Sequence, residues 1–402
     1  MTILLSANQT LANNLTALQA SGLDRLDAQL LLLHVLGKSD AQRGWLLAHD
    51  TDLLPAGCAE ALSTLAHRRL AGEPLAYLTG SKSFYGLNLQ VNADVLVPRS
   101  DTETLVDWAL EVLSKMSRHQ LKPAPPPCPA GTAADTSPAP EAKQVDVLDL
   151  GTGSGAIALA IKATRPDLQV WATDLSAAAL AVAQANAQHL QLDVQFSQGA
   201  WFAALPAPAH GGTQQFAVIV SNPPYIADQD EHLDALNFEP PQALTSGIDG
   251  LDDLCQITAN AKPHLKPGGW LLLEHGYNQA EAVRELLTSQ GFDQVQSRYD
   301  LAGIERCSGG QKPLRQCHSP THCLHDPPHP MNPTIDIDER LTNLEIKASF
   351  TEDLLDKLDE IIIRQQDQID RLTREVLRLS QPAPNQDNAP PRNPRDELPP
   401  HY

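Results

Sequence analysis

Two short runs of residues have types and spacing suited to chemistry on a nucleotide-like ligand. The run Gly151-Thr152-Gly153-Ser154-Gly155 lies between an apolar segment and a helical segment. Its glycines allow a sharp backbone turn close to a ligand, and the following helix N-terminus offers free N–H groups. Asp174, 21 residues after Gly153, suits a carboxylate that binds ribose hydroxyls. NAD and S-adenosylmethionine both carry that ribose, so this run predicts a cofactor pocket and leaves its occupant open.

The second run, Asn222-Pro223-Pro224-Tyr225, follows an apolar segment 67 residues after Gly155. Its prolines lack backbone donors, which leaves the Asn222 side-chain oxygen and the Pro223 carbonyl as acceptors, and Tyr225 adds a flat face. These groups suit an –NH2 on a planar carbon, because they can orient its nitrogen and stabilise positive charge on it. Together the two runs predict methyl transfer from S-adenosylmethionine to a planar nitrogen.

Alternating strands and helices are expected to position both runs. Apolar segments at 145–150, 170–173, 216–221 and 270–274 predict buried strands, and 156–164 predicts a helix. This alternation is typical of a mostly parallel sheet with helices on both faces. The expected fold class is therefore α/β.

In the N-terminal part, the apolar residues first follow a helical spacing and then alternate as in β-strands. Leucines spaced three and four apart over 26–36, and the segment 55–70, predict two helices. Residues 84–91 alternate in the manner of a β-hairpin. A further helix is expected over 101–113.

Proline and heptad patterns organise the rest of the chain. Of 32 prolines, 20 fall within 123–140, 312–333 and 382–400, which predicts flexible segments. Residues 337–379 carry an apolar heptad pattern, softened by Thr351 and Gln365, which predicts a coiled coil and a homodimer through it. A single amphipathic helix folded back on the rest of the chain is the alternative.

The sequence resembles the release-factor glutamine methyltransferases of the HemK/PrmC type over about residues 20–310, apart from a proline-rich insert. The motifs that carry the resemblance are GEPLAYLTG at 72–80, PRSDTE at 98–103, the glycine run at 151–155, NPPY at 222–225, FEP at 238–240 and LEHG at 273–276. The resemblance implies a Rossmann-like class I methyltransferase domain with a small N-terminal helical domain. It also implies N5-methylation, with S-adenosyl-L-methionine, of the glutamine in the Gly-Gly-Gln motif of class I peptide chain release factors.

The resemblance also assigns roles to residues. It implies that the cofactor is bound by Gly151, Thr152, Gly153, Ser154, Gly155, Asp174, Trp201 and Asn222. It implies that the substrate glutamine is held by Asn222, Pro223, Pro224 and Tyr225, with Asn222, Pro223 and Tyr225 as the catalytic set. The N-terminal domain would help to recognise the release factor.

The C-terminal heptads and the ending Pro399-Pro400-His401-Tyr402 resemble the small SlyX-like proteins, and Met331 stands where such a protein would start. We hypothesise a fusion of two neighbouring genes. The whole chain is then expected to divide as follows: a helical domain at 1–80, a hairpin and connecting helix at 81–117, a linker at 118–143, the methyltransferase domain at 144–311, a linker at 312–332, a C-terminal coiled-coil helix at 333–380 and a proline-rich tail at 381–402.

Two departures from the family pattern are visible. The family usually has an acid before Trp-Phe, where this chain has Ala200 before Trp201. Loss of that acid would weaken hydrogen bonding to the adenine amine. The insert at about 118–143 lengthens the link between the domains and should loosen their coupling without changing the site.

Charge separates the competing functions. The chain has a net charge of −20, and residues 145–310 hold 7 basic against 19 acidic residues. That balance disfavours an adenine-N6 or guanine-N2 methyltransferase of nucleic acid, and it disfavours an anionic membrane surface. With no signal peptide pattern and no long apolar run, a cytoplasmic location is expected. An oligomeric interaction protein with an inactive methyltransferase domain is the third reading, opposed by the intact runs described above.

Three further features of the sequence give weaker signals of function. Cysteines and histidines between 307 and 329 lack the paired spacing of a zinc site, so no metal is expected. Gly309-Gly310-Gln311 repeats the tripeptide of the implied substrate, and coincidence is preferred to self-methylation. His275 is expected to be a hydrogen-bonded structural residue rather than a base.

Overall fold

The computed structural model describes residues 5–120, 146–207, 212–300 and 302–314. The first 317 residues form one compact unit, and the second unit, 318–402, lies outside the described residues. The expected linkers beyond Gln120 and beyond Leu314, the coiled coil and the tail therefore fall where nothing is described. No helix in the described ranges is long and apolar enough to cross a membrane.

Five helices build the N-terminal part. They are α1 (Leu11–Ala20), α2 (Arg25–Val35), α3 (Arg43–Ala48), α4 (Cys58–Leu70) and α5 (Leu75–Thr79). Leucines at helical spacing from these helices form a core of their own, with Leu18, Leu31, Leu32 and Leu62 fully buried. The two helices predicted from leucine spacing correspond to α2 and α4, and α4 begins three residues after Pro55.

A hairpin and a long helix connect this part to the sheet. Strands β1 (Ser81–Phe84) and β2 (Leu87–Gln90) pair antiparallel across Tyr85 and Gly86, as the alternation predicted. Helix α6 (Glu103–Gln120) follows a 3-10 turn at Ser100–Thr102. It packs against the sheet through buried Leu105, Ala109 and Val112.

The part of the chain after α6 is built on a seven-stranded sheet in the order β5-β4-β3-β6-β7-β9-β8. Its strands are β3 (Asp146–Leu150), β4 (Gln169–Asp174), β5 (Gln195–Gln198), β6 (Phe216–Ser221), β7 (Leu265–Glu274), β8 (Asp293–Tyr299) and β9 (Glu305–Gln311). The helices are α7 (Ala156–Thr164), α8 (Ala177–Leu190), α9 (Asp252–Ala261) and α10 (Ala280–Ser289). All pairings from β5 to β7 are parallel, whereas β9 runs antiparallel to both of its neighbours.

The apolar strands are buried on both faces. In β6, Val218 and Val220 enter one core together with α6 and α7, while Ile219 enters the opposite core with α9 and α10. Successive residues of a strand point to opposite faces, so an unbroken apolar run is what a doubly covered sheet requires. The predicted α/β fold with helices on both faces is confirmed.

Candidate functional site

The predicted site residues gather at the carboxyl ends of the parallel strands. A cavity of about 570 Å³ opens there, in the size range of small-molecule sites. From the predicted cofactor set it is lined by Gly151, Thr152, Gly153, Ser154, Asp174, Trp201 and Asn222. Gly151 and Asn222, 71 positions apart in the chain, meet at this cavity because β3 and β6 are neighbours in the sheet.

The glycine run turns tightly between β3 and α7. The N–H groups of Gly151 and Thr152 both donate to the Thr173 carbonyl at 2.9 Å, which fixes the start of the turn. Gly153 has a φ of 56°, and a Cβ there would meet no atom within 4 Å, so its free face opens onto the cavity. Trp201 packs over Gly151, because a Cβ on Gly151 would lie 3.2 Å from the indole ring.

Gly155 serves packing rather than the cavity surface. It does not line the cavity, and with a φ of 85° it caps the N-terminus of α7. A Cβ there would lie 2.9 Å from Leu159 Cδ1 and 3.3 Å from Ala183 Cβ. The glycine is therefore needed for the close approach of α7 to α8.

The buried carboxylate of Asp149 holds the turn through hydrogen bonds. Asp149 Oδ2 accepts from Thr152 Oγ1 at 2.6 Å and from the Ala158 N–H at 3.2 Å. Burial raises the pKa of Asp149 to about 7, against the lowering effect of these two hydrogen bonds. The carboxylate thus ties the turn to the first residues of α7.

Asp174 ends β4 and faces the cavity. Its two oxygens accept from the N–H groups of Gly153 and Ser176, both at 2.8 Å. Burial raises its pKa, and the backbone hydrogen bonds oppose that rise. Each carboxylate oxygen can accept more than one hydrogen bond, so the held carboxylate can also receive ribose hydroxyls.

Asn222 presents an acceptor that nothing in the described protein uses. Ser221, the last residue of β6, donates to the Leu150 carbonyl at 2.7 Å and anchors the strand end. Asn222 Nδ2 donates to Thr102 Oγ1 at 3.2 Å. Asn222 Oδ1 is buried and has no hydrogen-bond partner among the described residues. A buried acceptor without a donor costs about 1–3 kcal/mol, so this position is built for a ligand N–H.

The rest of the NPPY run divides between cavity and core. Pro224 lines the cavity together with Asn222, whereas Pro223 and Tyr225 do not. Pro223 is buried, and Tyr225 packs against the core on the α9 side of the sheet. Burial raises the pKa of the Tyr225 hydroxyl, with a further rise from the charge of Glu274.

One wall of the cavity was missed by reasoning from residue chemistry. It is built by Asp94, Val95, Leu96, Pro98, Arg99 and Thr102, which precede α6. Glu239, almost completely buried, holds this segment by accepting from the Val97 N–H at 3.0 Å and from Arg99. The signal was present in the sequence, since PRSDTE and FEP were both motifs of the resemblance.

The weaker signals receive structural explanations. His275 is fully buried, and its ring nitrogens contact the Gly276 carbonyl at 2.9 Å and Ser308 Oγ at 2.8 Å, as expected of a structural histidine. Gly309-Gly310-Gln311 lies in β9, paired on both sides, which does not favour self-methylation. Cys307 is buried in the same strand, and the described residues contain no group of metal ligands. The other cysteines and histidines of that signal, between 317 and 329, lie outside the described residues.

The sequence matches three protein families and several named relatives. The PrmC N-terminal domain family matches residues 9–80, the Methyltransferase small domain family matches 131–297, and the SlyX family matches 337–402. A release factor glutamine methyltransferase from Bordetella pertussis is 49% identical over 291 residues, covering 72% of this chain and 95% of the relative. Relatives of the same name from Burkholderia pseudomallei and Xylella fastidiosa are 45% and 43% identical, with 95% and 97% of their length covered.

The chain belongs to the release factor glutamine methyltransferase family. This confirms the resemblance drawn from the motifs, and the SlyX match confirms that a SlyX-like segment follows the enzyme. Among solved structures, a methyltransferase from Pyrococcus furiosus covers 62% of this chain at 16% identity with a TM-score of 0.38, and adds nothing to the assignment.

The residues present fit the methyl donor of this family, S-adenosylmethionine. An open glycine face, a fixed carboxylate at Asp174 and the indole of Trp201 surround one end of the cavity. Ala200 also lines it, so the position where the family usually has an acid faces the same space. No metal is needed for a reaction of this class, because the donor carries its own electrophilic carbon.

Proposed function

We propose that this protein methylates the side-chain nitrogen of the glutamine in the Gly-Gly-Gln motif of class I release factors. The observation that carries the proposal is the unpaired, buried Asn222 Oδ1 beside the glycine run and Asp174. An amide –NH2 supplies the N–H group that this acceptor lacks. Family membership supports the same substrate, since the named relatives are release factor glutamine methyltransferases.

The reaction needs orientation more than strong acid or base catalysis. Bound S-adenosylmethionine supplies a methyl group on a positively charged sulfur. Asn222 Oδ1 and, we infer, the Pro223 carbonyl accept the two N–H bonds of the substrate amide and turn its nitrogen toward the donor. In the transfer a C–N bond would form as the S–C bond breaks, with S-adenosylhomocysteine leaving as a neutral thioether, and these acceptors would stabilise the charge that develops on nitrogen until its proton is lost to solvent.

The same proposal assigns the remaining residues. We assign cofactor contacts to Gly151–Ser154, Asp174, Trp201 and Asn222, with Gly155 keeping the turn closely packed. We assign the glutamine pocket to Asn222 and Pro224 together with the Pro223 carbonyl, and Tyr225 packs against the core beside them. The domain division expected from the sequence, a cytoplasmic location and release-factor recognition by the N-terminal helices belong to the same proposal. The acidic charge of residues 145–310 supports a protein substrate over nucleic acid.

The direct test is mass spectrometry of a purified release factor incubated with this protein and S-adenosylmethionine. We expect a gain of one methyl group, +14 mass units, on the peptide that contains the Gly-Gly-Gln glutamine. A release factor with that glutamine changed to asparagine is the matched substrate control and should gain nothing. Methylation of a DNA or RNA oligonucleotide in parallel, with none on the release factor, would instead favour the nucleic-acid alternative.

We also propose that residues 337–379 pair as a coiled coil and make the protein a homodimer. The apolar heptads support this, because a helix with one apolar seam has no core of its own. Sedimentation of the full chain should give twice the chain mass of 43.5 kDa. Leu355→Glu together with Ile362→Glu should return it to the mass of one chain, and a wild-type monomer would contradict the proposal.

A further inference from the structure

Helix α5 contributes side chains to two separate apolar cores. Leu78 is buried in the leucine core of the N-terminal helices, and Leu75 packs against that core. Ala76 and Tyr77, on the same short helix, belong instead to a small cluster that also contains Val91, Val95, Val97 and Ala179. Helix α5 therefore joins the N-terminal helices to the part of the fold that this cluster supports.

The small cluster supports one wall of the methyl-donor cavity, the segment 94–99. Val95 and Val97 are buried in the cluster, while Leu96 and Pro98, which alternate with them in the sequence, line the cavity. Ala179, on α8, belongs both to the cluster and to the lining of the cavity. The position of the cluster therefore determines the position of the wall.

Side chains, rather than a neighbouring strand, hold the backbone of this wall. Residues 94–99 belong to no helix or strand. The Tyr77 hydroxyl donates to the Val95 carbonyl at 2.6 Å, and the Val97 N–H donates to Glu239 at 3.0 Å. Val95 is buried, and a buried carbonyl without a partner lowers stability, so the bond from Tyr77 favours this one placement of the wall.

We propose that Tyr77 is a positioning residue for the methyl-donor site, so that the N-terminal helices form part of that site. The bonds from Tyr77 and to Glu239 fix the backbone on both sides of Leu96, which lines the cavity. Tyr77 does not line the cavity and acts through the wall. This role is additional to release-factor recognition by the same helices and requires only that the methyl donor binds.

The test compares Tyr77→Phe with Tyr85→Phe, because each variant removes one hydroxyl and keeps the ring. Tyr85 is the matched control, since its hydroxyl also donates at 2.6 Å, to Asp107 Oδ1, and Tyr85 does not line the cavity. Without the Tyr77 hydroxyl the wall occupies the binding position for a smaller fraction of the time, which raises the apparent Kd. From loss of one hydrogen bond, we expect the Kd for S-adenosylmethionine to rise about fivefold in Tyr77→Phe and to stay within about twofold of wild type in Tyr85→Phe.

Two further readouts distinguish positioning of the wall from a general loss of stability. Hydrogen exchange in the peptide that contains residues 91–99 should be faster in Tyr77→Phe than in Tyr85→Phe, and saturating S-adenosylmethionine should slow it again. In methylation assays Tyr77→Phe should raise KM for the donor and leave kcat at saturating donor close to wild type, because bound donor restores the wall. A Tyr77→Phe protein with a lower free energy of unfolding in urea and an unchanged Kd would overturn the proposal, as would an equal rise of Kd in Tyr85→Phe.

The titration contains no release factor, so its result is independent of the proposed function. If the full chain shows the expected pattern of Kd values but methylates no glutamine, the proposed function is wrong and the role of Tyr77 stands. If the glutamine is methylated and Tyr77→Phe binds S-adenosylmethionine as tightly as wild type, the role of Tyr77 is wrong and the proposed function stands.

Discussion

Single side chains at the ends of β3, β4 and β6 determine the chemistry of the site. Asp174 is held by two backbone N–H groups, and Asn222 Oδ1 is left without a donor in the described protein. The first arrangement orients a carboxylate for hydroxyl groups, and the second leaves an acceptor for an amide. In the proposed function, these two side chains therefore mark the cofactor half and the substrate half of the cavity.

Replacing Asp174 with asparagine should weaken binding of the methyl donor. The amide loses the charge that strengthens hydrogen bonds from ribose hydroxyls and leaves one acceptor oxygen where there were two. We expect the Kd for S-adenosylmethionine to rise about tenfold, for a loss of ~1.4 kcal/mol. Calorimetric titration measures it, and Asp193→Asn, at an exposed carboxylate, is the control. Equal Kd values for the two variants would contradict the role of Asp174.

Replacing Ala200 with aspartate should strengthen cofactor binding. Ala200 lines the cavity next to Trp201, where the family pattern has an acid. A new carboxylate there can accept from the adenine amine, and one such hydrogen bond is worth ~1 kcal/mol. The Kd for S-adenosylmethionine should fall about fivefold by the same titration. An unchanged or higher Kd would show that the chain has no need of the missing acid.

The turn between β3 and α7 has one side open to the cavity, at Gly153, and one side closely packed against neighbouring helices, at Gly155. Gly153 faces open space, whereas Gly155 lies against Leu159 and Ala183. The segment before α6 closes the cavity from the other side and is held by buried Glu239. The site is thus an assembly of one tight turn, two strand ends and one wall from outside the sheet.

The close packing at Gly155 predicts that alanine substitutions at Gly155 and Gly153 will lower the free energy of unfolding by different amounts. Gly155→Ala should lower the free energy of unfolding by ~1–3 kcal/mol, since its Cβ overlaps α7 and its φ of 85° disfavours alanine. Gly153→Ala has only the backbone cost and should lower it less, while its methyl group intrudes on the cavity. Urea unfolding of both variants measures the difference. A Gly155→Ala protein as stable as Gly153→Ala would contradict the packing role.

Sequence reasoning located four of the five strands that pair in parallel and missed the polar strands β5, β8 and β9. Strands β3, β4, β6 and β7 are apolar runs buried on both faces, and their periodicity predicts them directly. Strand β9 contains Gly309 and Gly310, where an added Cβ would lie 2.6 Å from Leu272, 2.9 Å from Trp108 and 2.8 Å from Phe292, so no side chain fits. Glycines carry no hydrophobic signal, so no strand was predicted over Glu305–Gln311.

The site itself was predictable where its residues are close in sequence. The glycine run, Asp174 and the NPPY run were identified by type and spacing alone, and the structure brings Gly151–Ser154, Asp174, Asn222 and Pro224 to one cavity, whereas Gly155, Pro223 and Tyr225 do not line it. Thr102 could not be found in that way, because its contact with Asn222 spans 120 residues and depends on how α6 crosses the sheet. A contact between residues so far apart in the sequence follows no spacing rule.

Across the whole molecule, two buried carboxyl groups couple stability to pH. Burial raises the pKa of Asp149 and of Glu274 to about 7 each. Their values in an unfolded chain are about 4, so the folded state binds more protons between these limits. Stability from these groups is therefore greatest below pH ~4 and declines as pH rises to about 7.

Substitution of Glu274 isolates its share of that dependence. Glu274→Gln cannot ionise, so its melting temperature should fall less between pH 5 and pH 7.5 than that of wild type. Thermal unfolding of the full chain at several pH values measures this. Glu281→Gln, in the first turn of α10, is the control for loss of one carboxylate elsewhere in the fold. Parallel curves for wild type and Glu274→Gln would contradict the buried, proton-binding state of this residue.

The most direct test of the account is the rate of methylation by Asn222→Ala at saturating S-adenosylmethionine. In the proposed function Asn222 Oδ1 accepts from the amide of the release-factor glutamine. Loss of that acceptor should therefore remove turnover while saturating S-adenosylmethionine still fills the cofactor half of the cavity. We expect methylation of the Gly-Gly-Gln peptide, followed by mass spectrometry, to slow at least 100-fold. Methylation of that glutamine at the wild-type rate by Asn222→Ala would contradict the central claim.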